Sequence, residues 1–536
     1  MEYLTPPPSS SSASFLPIML AATLCFVVSI LLWRRSNNPR RKYNLPPGPR
    51  PWPVISNLNL IGPLPHRSVH ELSKLHGPLM SLRFGSLPAV VGSSVDAARL
   101  ILKTHDLSFI DRPRWAVGQY TGYGYSDMLW SPYGAYWLQA RRLVKTELFS
   151  TARLREHESV RDGEVRAMLR GLYSSSASGE RRAARLMDHL FTMNINVISL
   201  MLFSRKYISD DGGGGGGGSS STTTTTFEEF KWMVEELFVL SGALNLGDMI
   251  PWLSWLDPHG YVRRMKKLRD MFDRFLEHVV DEHDERRRRE GQAFVARDMV
   301  DLLLELADDP NLEAPIERNG VKAFTLNLLV GLPDTTSVTV EWAMAELLRR
   351  PDALAKVTEE LDRVVGVDRH VTEGDIASLP YLEAVVKETM RLHPVSPLLS
   401  PRQSREDVAT GDGHDIPAGT LVFVNVWAIG RDPAVWGEDA AAFRPERFAG
   451  SRVDVKGQDL ELLPFGSGRR MCPGVSLGLR MVQVILANLL HSYAWRLPAG
   501  VEEPNMEERY GLSMPRLVPL EAVPEPRLRA HLYAGP

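Results

Sequence analysis

The sequence predicts a mainly α-helical protein with a smaller β part, behind a single N-terminal transmembrane helix. Helix-forming residues dominate 320–395, and a periodic apolar segment covers 475–490. Short β-rich runs occur at 79–91 and 421–426. No repeat with a period of about 20 to 50 residues is visible, which excludes solenoids and propellers.

The N-terminal segment predicts a membrane anchor over residues 1–34. Residues 15–33 are apolar except for one proline, one threonine and one serine, and they approach the ~20 residues that cross a bilayer core. Only Glu2 is charged before this run, whereas five basic residues follow it within 34–42. The positive-inside rule then places the rest of the chain on the cytosolic side. A cleaved signal peptide is the alternative.

Residues 35–55 predict a basic, proline-rich hinge, followed by a globular domain over 56–536. The prolines within 46–53 forbid helix and stiffen the chain, so we expect a rigid spacer. A ligand for a proline-reading module is the alternative. Inside the globular domain, the run 211–226 of Gly, Ser and Thr lacks the ending of a phosphate loop and predicts a flexible surface insertion.

The composition is that of an ordinary globular protein, with 44% hydrophobic and 24% charged residues, so a large buried core is feasible. The net charge of −3 gives no general attraction to nucleic acid, which we do not expect as a partner. The two cysteines, Cys25 and Cys472, do not suggest a disulfide framework, which favours a reducing compartment. With Cys25 in lipid, Cys472 is the only thiol of the soluble part.

Cys472 lies near the end of the glycine-rich run 465–474, which directly precedes the apolar segment 475–490. The sequence therefore places a thiol at a helix N-terminus. There the helix dipole and free backbone N–H groups stabilise a thiolate and lower the thiol pKa, which suits a permanent metal ligand. Considered without its neighbours, an inert buried thiol is the alternative.

The run 465–474 resembles the haem-ligand signature of the cytochrome P450 family, Phe-x-x-Gly-x-Arg-x-Cys-x-Gly. The signature is matched at Phe465, Gly468, Arg470, Cys472 and Gly474. The resemblance implies the cytochrome P450 fold, with haem b (iron protoporphyrin IX) as the cofactor and Cys472 as the iron ligand. Gly468 and Gly474 would let the backbone lie close to the flat macrocycle, where a side chain would clash.

Four residues are implied by the resemblance as partners of the haem propionates. Trp137 and Arg141 match the family's Trp-x-x-x-Arg helix, and Arg402 and Arg470 resemble two further propionate partners. A planar guanidinium matches the geometry of a carboxylate. For each of these arginines taken singly, a surface position is the alternative.

A buried charge network is also implied. Glu388 and Arg391 lie three apart on a predicted helix, where carboxylate and guanidinium can pair. In the family this pair is joined by the arginine of a later Pro-Glu-Arg-Phe segment, matched here at Arg447. A carboxylate between two arginines compensates charges that are costly to bury. The role of the three residues is expected to be structural support of the haem pocket.

The segment 331–336 resembles the oxygen-activating segment of the family but departs from it. Asp334 and Thr335 retain the acid and the alcohol that are implied to relay protons in O₂ activation. Leu332 replaces the second glycine and narrows the adjoining space, and Pro333 removes a backbone donor and kinks the helix. Reduced or altered activity is one expectation, and an ordinary helical role for Asp334 and Thr335 is the alternative.

The resemblance covers nearly the whole chain and is nearest to plant microsomal A-type members, such as flavonoid 3'-hydroxylase-like enzymes. It implies a monooxygenase that inserts one atom of O₂ into a small apolar plant metabolite, either a phenylpropanoid or flavonoid or a terpenoid. No Gly-x-Gly-x-x-Gly motif lies between a strand and a helix, so we do not expect the chain itself to bind the nicotinamide. The resemblance implies that NADPH acts indirectly, through NADPH–cytochrome P450 reductase. The enzyme is expected to be single-pass in the endoplasmic reticulum membrane, in contact with membrane lipid, with its catalytic domain facing the cytosol.

Two other functions are compatible with the sequence. A haem-thiolate isomerase or dehydratase would rearrange an oxygenated lipid without a reductase, although it would have little use for Asp334 and Thr335. A non-catalytic haem-binding membrane protein would be compatible with Leu332 and Pro333. The dependence of turnover on NADPH and a reductase distinguishes the three.

Overall fold

The computed structural model describes residues 43–177, 183–206 and 225–534, together with single positions between 17 and 28. It is 54% helical and 8% strand, which confirms a mainly α-helical protein with a smaller β part. Most of the predicted anchor, the first part of the predicted hinge and most of 211–226 lie outside the described residues.

The α-helices of the described part are numbered in chain order. They are α1 (Pro65–His76), α2 (Val95–Arg99), α3 (Ala116–Tyr120), α4 (Ala135–Leu143), α5 (Thr151–Glu156), α6 (Glu158–Ala177), α7 (Leu186–Phe203), α8 (Phe227–Gly242), α9 (Leu246–Met249), α10 (Tyr261–Glu290), α11 (Met299–Ala307), α12 (Arg318–Gly331), α13 (Pro333–Arg349), α14 (Pro351–Val365), α15 (Pro380–Leu392), α16 (Val426–Ile429), α17 (Pro433–Trp436) and α18 (Val475–Ser492).

The strands form three small sheets. They are β1 (Leu79–Phe84), β2 (Leu87–Gly92), β3 (Ala184–Arg185), β4 (Arg402–Gln403), β5 (Val408–Ala409), β6 (Asp415–Ile416), β7 (Leu421–Val424), β8 (Tyr493–Arg496) and β9 (Glu521–Pro526). The first sheet has the order β1-β2-β7-β4 and is antiparallel except between β2 and β7. The second has the order β3-β9-β8, and β5 pairs with β6. The predicted β-rich runs correspond to the hairpin β1–β2 and to β7.

Several helices begin where the sequence supplies a start signal. Pro333, Pro351 and Pro380 each occupy the first position of a helix, where a missing N–H leaves no helical bond unmade. Ser94 and Asp298 cap α2 and α11 by accepting from the backbone N–H three residues later. Pro333 matters most for function, because it fixes the start of α13 beside the site described below.

Helix α13 lies in the centre of the protein and is buried along almost its whole length. It packs against α7, α15 and α18. Among the described helices, α7 and α18 are long and apolar enough to cross a membrane, but 67% of each is buried in the protein. In this fold they act as core helices, and their apolar faces surround α13.

The described part of the predicted hinge docks on the first sheet. The Ser81 N–H donates to the Pro47 carbonyl (2.8 Å), and the Ser81 hydroxyl donates to the Pro46 carbonyl (2.6 Å). A Cβ at Gly48 would lie 1.9 Å from the Ser81 carbonyl oxygen, so the contact requires glycine. At residues 46–48 the predicted rigid spacer is therefore held against β1.

Candidate functional site

A cavity of about 370 Å³ lies between the loop that carries Cys472 and the junction of α12 and α13. Residues within 464–474 form one face, and Gly331, Leu332 and Thr335 form part of another. Further lining side chains are apolar, among them Ile198, Leu237, Phe238, Leu326, Val330 and Leu512. The exposed surface of the cavity is therefore largely apolar, and its polar groups include the Cys472 thiol and the Thr335 hydroxyl.

The cysteine loop turns back on itself before α18 begins. The Cys472 N–H donates to the Phe465 carbonyl (3.0 Å), and the Met471 N–H donates to the Gly468 carbonyl (3.1 Å). Gly466 has a φ of 69°, a conformation that favours glycine. These turns direct the Cys472 thiol to the cavity, so its exposed surface faces the cavity.

The electrostatics of Cys472 differ from the expectation for a helix N-terminus. Burial raises the pKa of the Cys472 thiol, while the backbone N–H of Gly474 and the guanidinium of Arg141 act in the opposite direction. The predicted lowering of the pKa was wrong in sign, because desolvation outweighs the backbone contribution. A metal ion that displaces the thiol proton would supply the compensating positive charge.

The two glycines that flank Cys472 in the signature have different surroundings. Gly474 lines the cavity, and a Cβ there would lie 3.9 Å from the Cys472 sulfur. Gly468 has a φ of 72°, and a Cβ there would lie 2.6 Å from Asp106 Oδ1 and from the Leu102 carbonyl oxygen. Gly468 is therefore required by its own turn and by its close contact with the segment that carries Leu102 and Asp106; its proximity to the cofactor stays a prediction.

Four arginines converge on the cavity: Arg112, Arg141, Arg402 and Arg470. Arg470 donates to the carbonyls of Ile110 (3.1 Å) and Ser131 (2.7 Å), but its Nη1 is buried without a hydrogen-bond partner. Burial and the nearby charge of Arg402 lower the pKa of Arg470 to about 9. Burial and the nearby charges of Arg470 and Arg402 hold the pKa of Arg112 well below its ordinary value. The cluster thus has an excess of positive charge.

The positive charge of the arginine cluster indicates which class of ligand the cavity can bind. Asp106 pairs with Arg402 at 3.2 Å, and Asp127 lines the wall with a pKa that burial raises to about 6. Buried guanidiniums need anionic partners, so the cavity favours an apolar ligand with carboxylates at one edge. Haem b has this shape, and the residues fit it. Cys472 would hold the iron, and the arginines would hold the propionates.

Trp137 and Arg141 both lie on α4, but the indole has a different contact from the expected one. Its Nε1 donates to the Met128 carbonyl (3.1 Å). The guanidiniums of Arg470 and Arg141 lie over the indole, 4.3 Å and 5.4 Å from its ring centroid. Trp137 therefore orients two arginines by cation–π contact, and its N–H already has an acceptor within the protein.

Arg112 is outside the recognised motifs, yet it donates to the carbonyls of Leu129, Ser400 and Pro401. We expect Arg112→Gln to accelerate haem loss about tenfold or more, because a hydrogen bond to a charged group contributes ~1.5–3 kcal/mol. The measurement is the rate of haem transfer to an excess of a haem-scavenging protein. Arg142→Gln, at an exposed arginine on α4, is the matched control. Equal rates of haem loss in the two variants would contradict the assignment of Arg112 to the arginine cluster that holds the propionates.

Pro333 separates α12 from α13 at Leu332. Proline has no N–H to donate to the Leu329 carbonyl four residues earlier, so the helical ladder is interrupted. The Thr335 hydroxyl donates to the Gly331 carbonyl across this break (2.7 Å). The interruption predicted from Pro333 is present, and Leu332 and Thr335 both line the cavity beside it.

Asp334 and Thr335 are adjacent in sequence but differ in their surroundings. Asp334 is buried, with 7% of its surface exposed, and it is not among the residues that line the cavity. Burial raises its pKa to about 6, and the neighbouring Ser513 side chain acts in the opposite direction. The acid thus lies behind the cavity wall and the alcohol lies on it.

The structure brings Glu388, Arg391 and Arg447 together. Arg391 donates to both carboxylate oxygens of Glu388, from Nε at 2.6 Å and from Nη2 at 2.7 Å. Arg447 Nε donates to Glu388 Oε1 at 3.2 Å, and so does the Arg444 N–H at 2.8 Å. Glu388 and Arg391 are almost completely buried. The network joins α15 to the segment that follows α17.

Sequence reasoning missed Arg112 and Asp127. Asp127 accepts from the Trp130 N–H (2.8 Å) and from the Asn327 side chain (3.3 Å), which ties the cavity wall to α12. Neither residue belongs to a motif with a recognisable spacing. The one signal available was their place in the aromatic-rich stretch 112–130.

Three comparisons with known proteins show what the chain is similar to. The family model described as Cytochrome P450 matches residues 46–519. Trimethyltridecatetraene synthase of Zea mays is 48% identical over 541 residues, covering 96% of this chain and 95% of the relative. Flavonoid 3'-monooxygenase of Petunia hybrida is 41% identical over 507 residues, covering 92% and 95%. A solved zebra fish cytochrome P450 with abiraterone has a TM-score of 0.70 and 26% identity, and covers 87% of this chain and 100% of its own.

Proposed function

Because this chain belongs to the cytochrome P450 family, and is therefore an oxidoreductase, we propose that it inserts one atom of O₂ into a small isoprenoid substrate. The observation that carries the proposal is the shared cavity of Cys472 and Thr335, with the arginine cluster at its edge. Its largely apolar lining suits a small hydrophobic substrate.

The residues of the cavity have separate roles in this reaction. When bound, haem b supplies the iron that activates O₂. Cys472 provides the sulfur ligand, and the arginine cluster neutralises the propionates. The Thr335 hydroxyl is held on the Gly331 carbonyl and can pass a proton into the cavity. The apolar walls exclude bulk water from the reacting atoms.

The lining near the helix break favours an isoprenoid. Leu332 stands where the family has a glycine, and its isobutyl group narrows the space beside Thr335. Ile198, Leu237 and Val330 extend this aliphatic wall. A flexible aliphatic chain adapts to such a space more readily than a rigid fused ring. The relative named trimethyltridecatetraene synthase supports the same substrate class.

A flavonoid is the second candidate. Phe238 and Trp130 line the cavity and could stack on an aromatic ring. The relative named flavonoid 3'-monooxygenase supports this class. The two classes are compared in one assay below.

We also propose NADPH–cytochrome P450 reductase as the electron donor and the endoplasmic reticulum membrane as the location. Trp52, Trp252 and Trp255 are 61%, 64% and 79% exposed. The Ser86 N–H donates to the Met249 carbonyl (2.9 Å), which holds the β1–β2 turn against the segment that carries two of these tryptophans. Exposed aromatic side chains of this kind support contact with membrane lipid.

The test is turnover by the purified chain in lipid vesicles with the reductase and NADPH, on a panel of acyclic isoprenoid alcohols and flavonoids. We expect isoprenoid-dependent NADPH consumption and one labelled oxygen in the product under ¹⁸O₂. Preference for flavonoids would favour the second candidate. Product formed without the reductase would favour an isomerase or dehydratase, and no product on any substrate would favour a haem-binding protein.

A further inference from the structure

One stretch of the cavity wall, residues 127–131, is bound through its backbone on two sides. Residues 127–130 of this stretch line the cavity. Three of its carbonyl groups accept from side chains of the cofactor site: Met128 from Trp137 (3.1 Å), Leu129 from Arg112 (3.1 Å) and Ser131 from Arg470 (2.7 Å). These bonds fix the stretch relative to the residues that would hold the propionates.

The backbone N–H groups of the same stretch bind elsewhere. Asn327 lies on α12, and its Oδ1 accepts from the Met128 N–H (2.8 Å) and from the Leu129 N–H (3.3 Å). The Trp130 N–H donates to Asp127 Oδ1 (2.8 Å). The stretch is therefore tied to the cofactor site by its carbonyls, and to α12 and its own first residue by its N–H groups.

Asn327 and Asp127 also bind each other, because Asn327 Nδ2 donates to Asp127 Oδ2 (3.3 Å). Asp127 is 2% exposed, and burial raises its pKa to about 6, so at neutral pH it is mainly a carboxylate, which only accepts. Asn327 must therefore accept from the backbone on one side and donate to this carboxylate on the other. A primary amide supplies both functions, whereas a carboxylate of the same size supplies only the first.

These contacts determine the width of the cavity beside α12. Asn327 lies four residues before Gly331, and both line the cavity, because residues four apart share a helix face. The side chains of Met128, Leu129 and Trp130 line the cavity from the bound stretch and move with its backbone. The separation between these side chains and α12 therefore depends on the bonds made by Asn327.

We propose that Asn327 and Asp127 form an amide–carboxylate clamp that sets the upper limit on ligand size in the cavity, with Asn327 as the positioning residue. The inference deepens the proposed function and rests on the part of it in which the cavity holds haem b and a small apolar ligand. With the clamp intact, the wall at 127–130 confines the ligand beside α12. Without the clamp, the wall can move away from α12 while its carbonyls stay bound to the cofactor site.

The first test measures the mobility of the wall by amide hydrogen exchange of the haem-loaded chain. Asn327→Leu keeps the size of the side chain but removes the acceptor of two N–H groups. One hydrogen bond contributes ~2- to 10-fold to an equilibrium, so we expect exchange over 126–130 to be about tenfold faster. Gln139→Leu is the matched control, because the Gln139 amide also donates to a backbone carbonyl, that of Ala314 (2.8 Å), and neither residue lines the cavity.

The second test exchanges the two partners of the clamp. Asn327→Asp alone places two carboxylates against each other, and Asp127→Asn alone places two amides there. The two substitutions combined restore an amide opposite a carboxylate, with the amide now at 127, and both side chains keep an oxygen for the backbone N–H groups that they bind. We expect faster exchange over 126–130 in each single variant and a return to within about twofold of wild type in the combined variant, because contacting residues are not additive.

The third test measures ligand size directly, by azole binding to the haem iron. The probes are imidazole and an imidazole that carries a triphenylmethyl group, and each affinity is obtained from the shift of the Soret band. We expect the affinity for the bulky azole, relative to imidazole, to rise about tenfold in Asn327→Asp and to return to the wild-type value in the combined variant. Asn327→Asp is used because it does not make the lining more apolar, and a general loss of structure would weaken both azoles alike.

The outcomes separate the inference from the proposed function. An unchanged ratio of the two azole affinities in Asn327→Asp, or a combined variant that shows the sum of the two single effects, would overturn the clamp and leave the proposed function intact. Absence of reductase-dependent turnover in the wild-type chain would overturn the proposed monooxygenase, whereas the exchange and azole measurements would still test the clamp. Faster exchange and a raised azole ratio in Asn327→Asp, with recovery of both in the combined variant and unchanged exchange in Gln139→Leu, would establish the clamp.

Discussion

The Cys472→Ser variant is expected to lose the strongly red-shifted Soret band of the reduced carbon monoxide complex completely. That band requires thiolate ligation, and Cys472 is the cavity-lining residue that can supply a thiolate. A serine hydroxyl has nearly the same shape but keeps its proton at neutral pH. The measurement is the carbon monoxide difference spectrum of the reduced protein, recorded for both chains at equal haem content.

The chain supplies its own control for this substitution. Cys25, the one other cysteine, lies in the predicted anchor. Cys25→Ser makes the same chemical change in the predicted anchor and should leave the band intact. The free energies of unfolding of the haem-free Cys472→Ser and Cys25→Ser chains should differ by less than ~1 kcal/mol, as for other mild substitutions. A band that persists in folded Cys472→Ser would refute the assignment of the iron ligand.

The sequence predicted the parts of the site that depend on local spacing. The run 465–474 predicted a cysteine loop that ends where a helix begins, and α18 begins at Val475 as expected. Pro333 predicted the interruption between α12 and α13. Each of these features is decided within a few residues by backbone rules for glycine and proline. Such rules act before tertiary contacts form.

Features that depend on distant segments were not predictable in the same way. Arg112 joins the arginine cluster because it bonds to carbonyls of residues 400 and 401, almost three hundred positions away. The Trp137 N–H finds an acceptor in Met128, and the pKa of Cys472 rises because the fold buries it. Burial and partner choice are properties of the assembled protein, and no spacing within one segment encodes them.

The Glu388→Gln variant is expected to destabilise the protein by about 3–5 kcal/mol, the usual cost of removing one partner of a buried ion pair. Neutralising this carboxylate leaves the guanidiniums of Arg391 and Arg447 short of negative charge in a region that excludes water. Total stabilities are only about 5–15 kcal/mol, so a large fraction is lost. The measurement is the free energy of unfolding from denaturant titration, together with haem content per folded chain.

Glu71→Gln is the matched control for this change. Glu71 pairs with Lys74 at 2.7 Å with the same three-residue spacing, but both side chains are exposed. Surface pairs of this kind contribute little, so stability should not change measurably. Equal changes in the free energy of unfolding for Glu71→Gln and Glu388→Gln would show that burial of the network does not increase its contribution to stability.

A double substitution tests what the network stabilises. In many proteins, replacing both partners of a buried ion pair by apolar residues restores stability. Here Arg391 also donates to the carbonyls of Gly430, Ala440 and Ala442. Glu388→Leu combined with Arg391→Leu would remove the Arg391 donor from the buried carbonyls of Gly430 and Ala440, each at a cost of ~1–3 kcal/mol. We therefore expect the double variant to be no more stable than Glu388→Gln. Recovery in the double variant would show that the carbonyls find other donors and that the network is a simple ion pair.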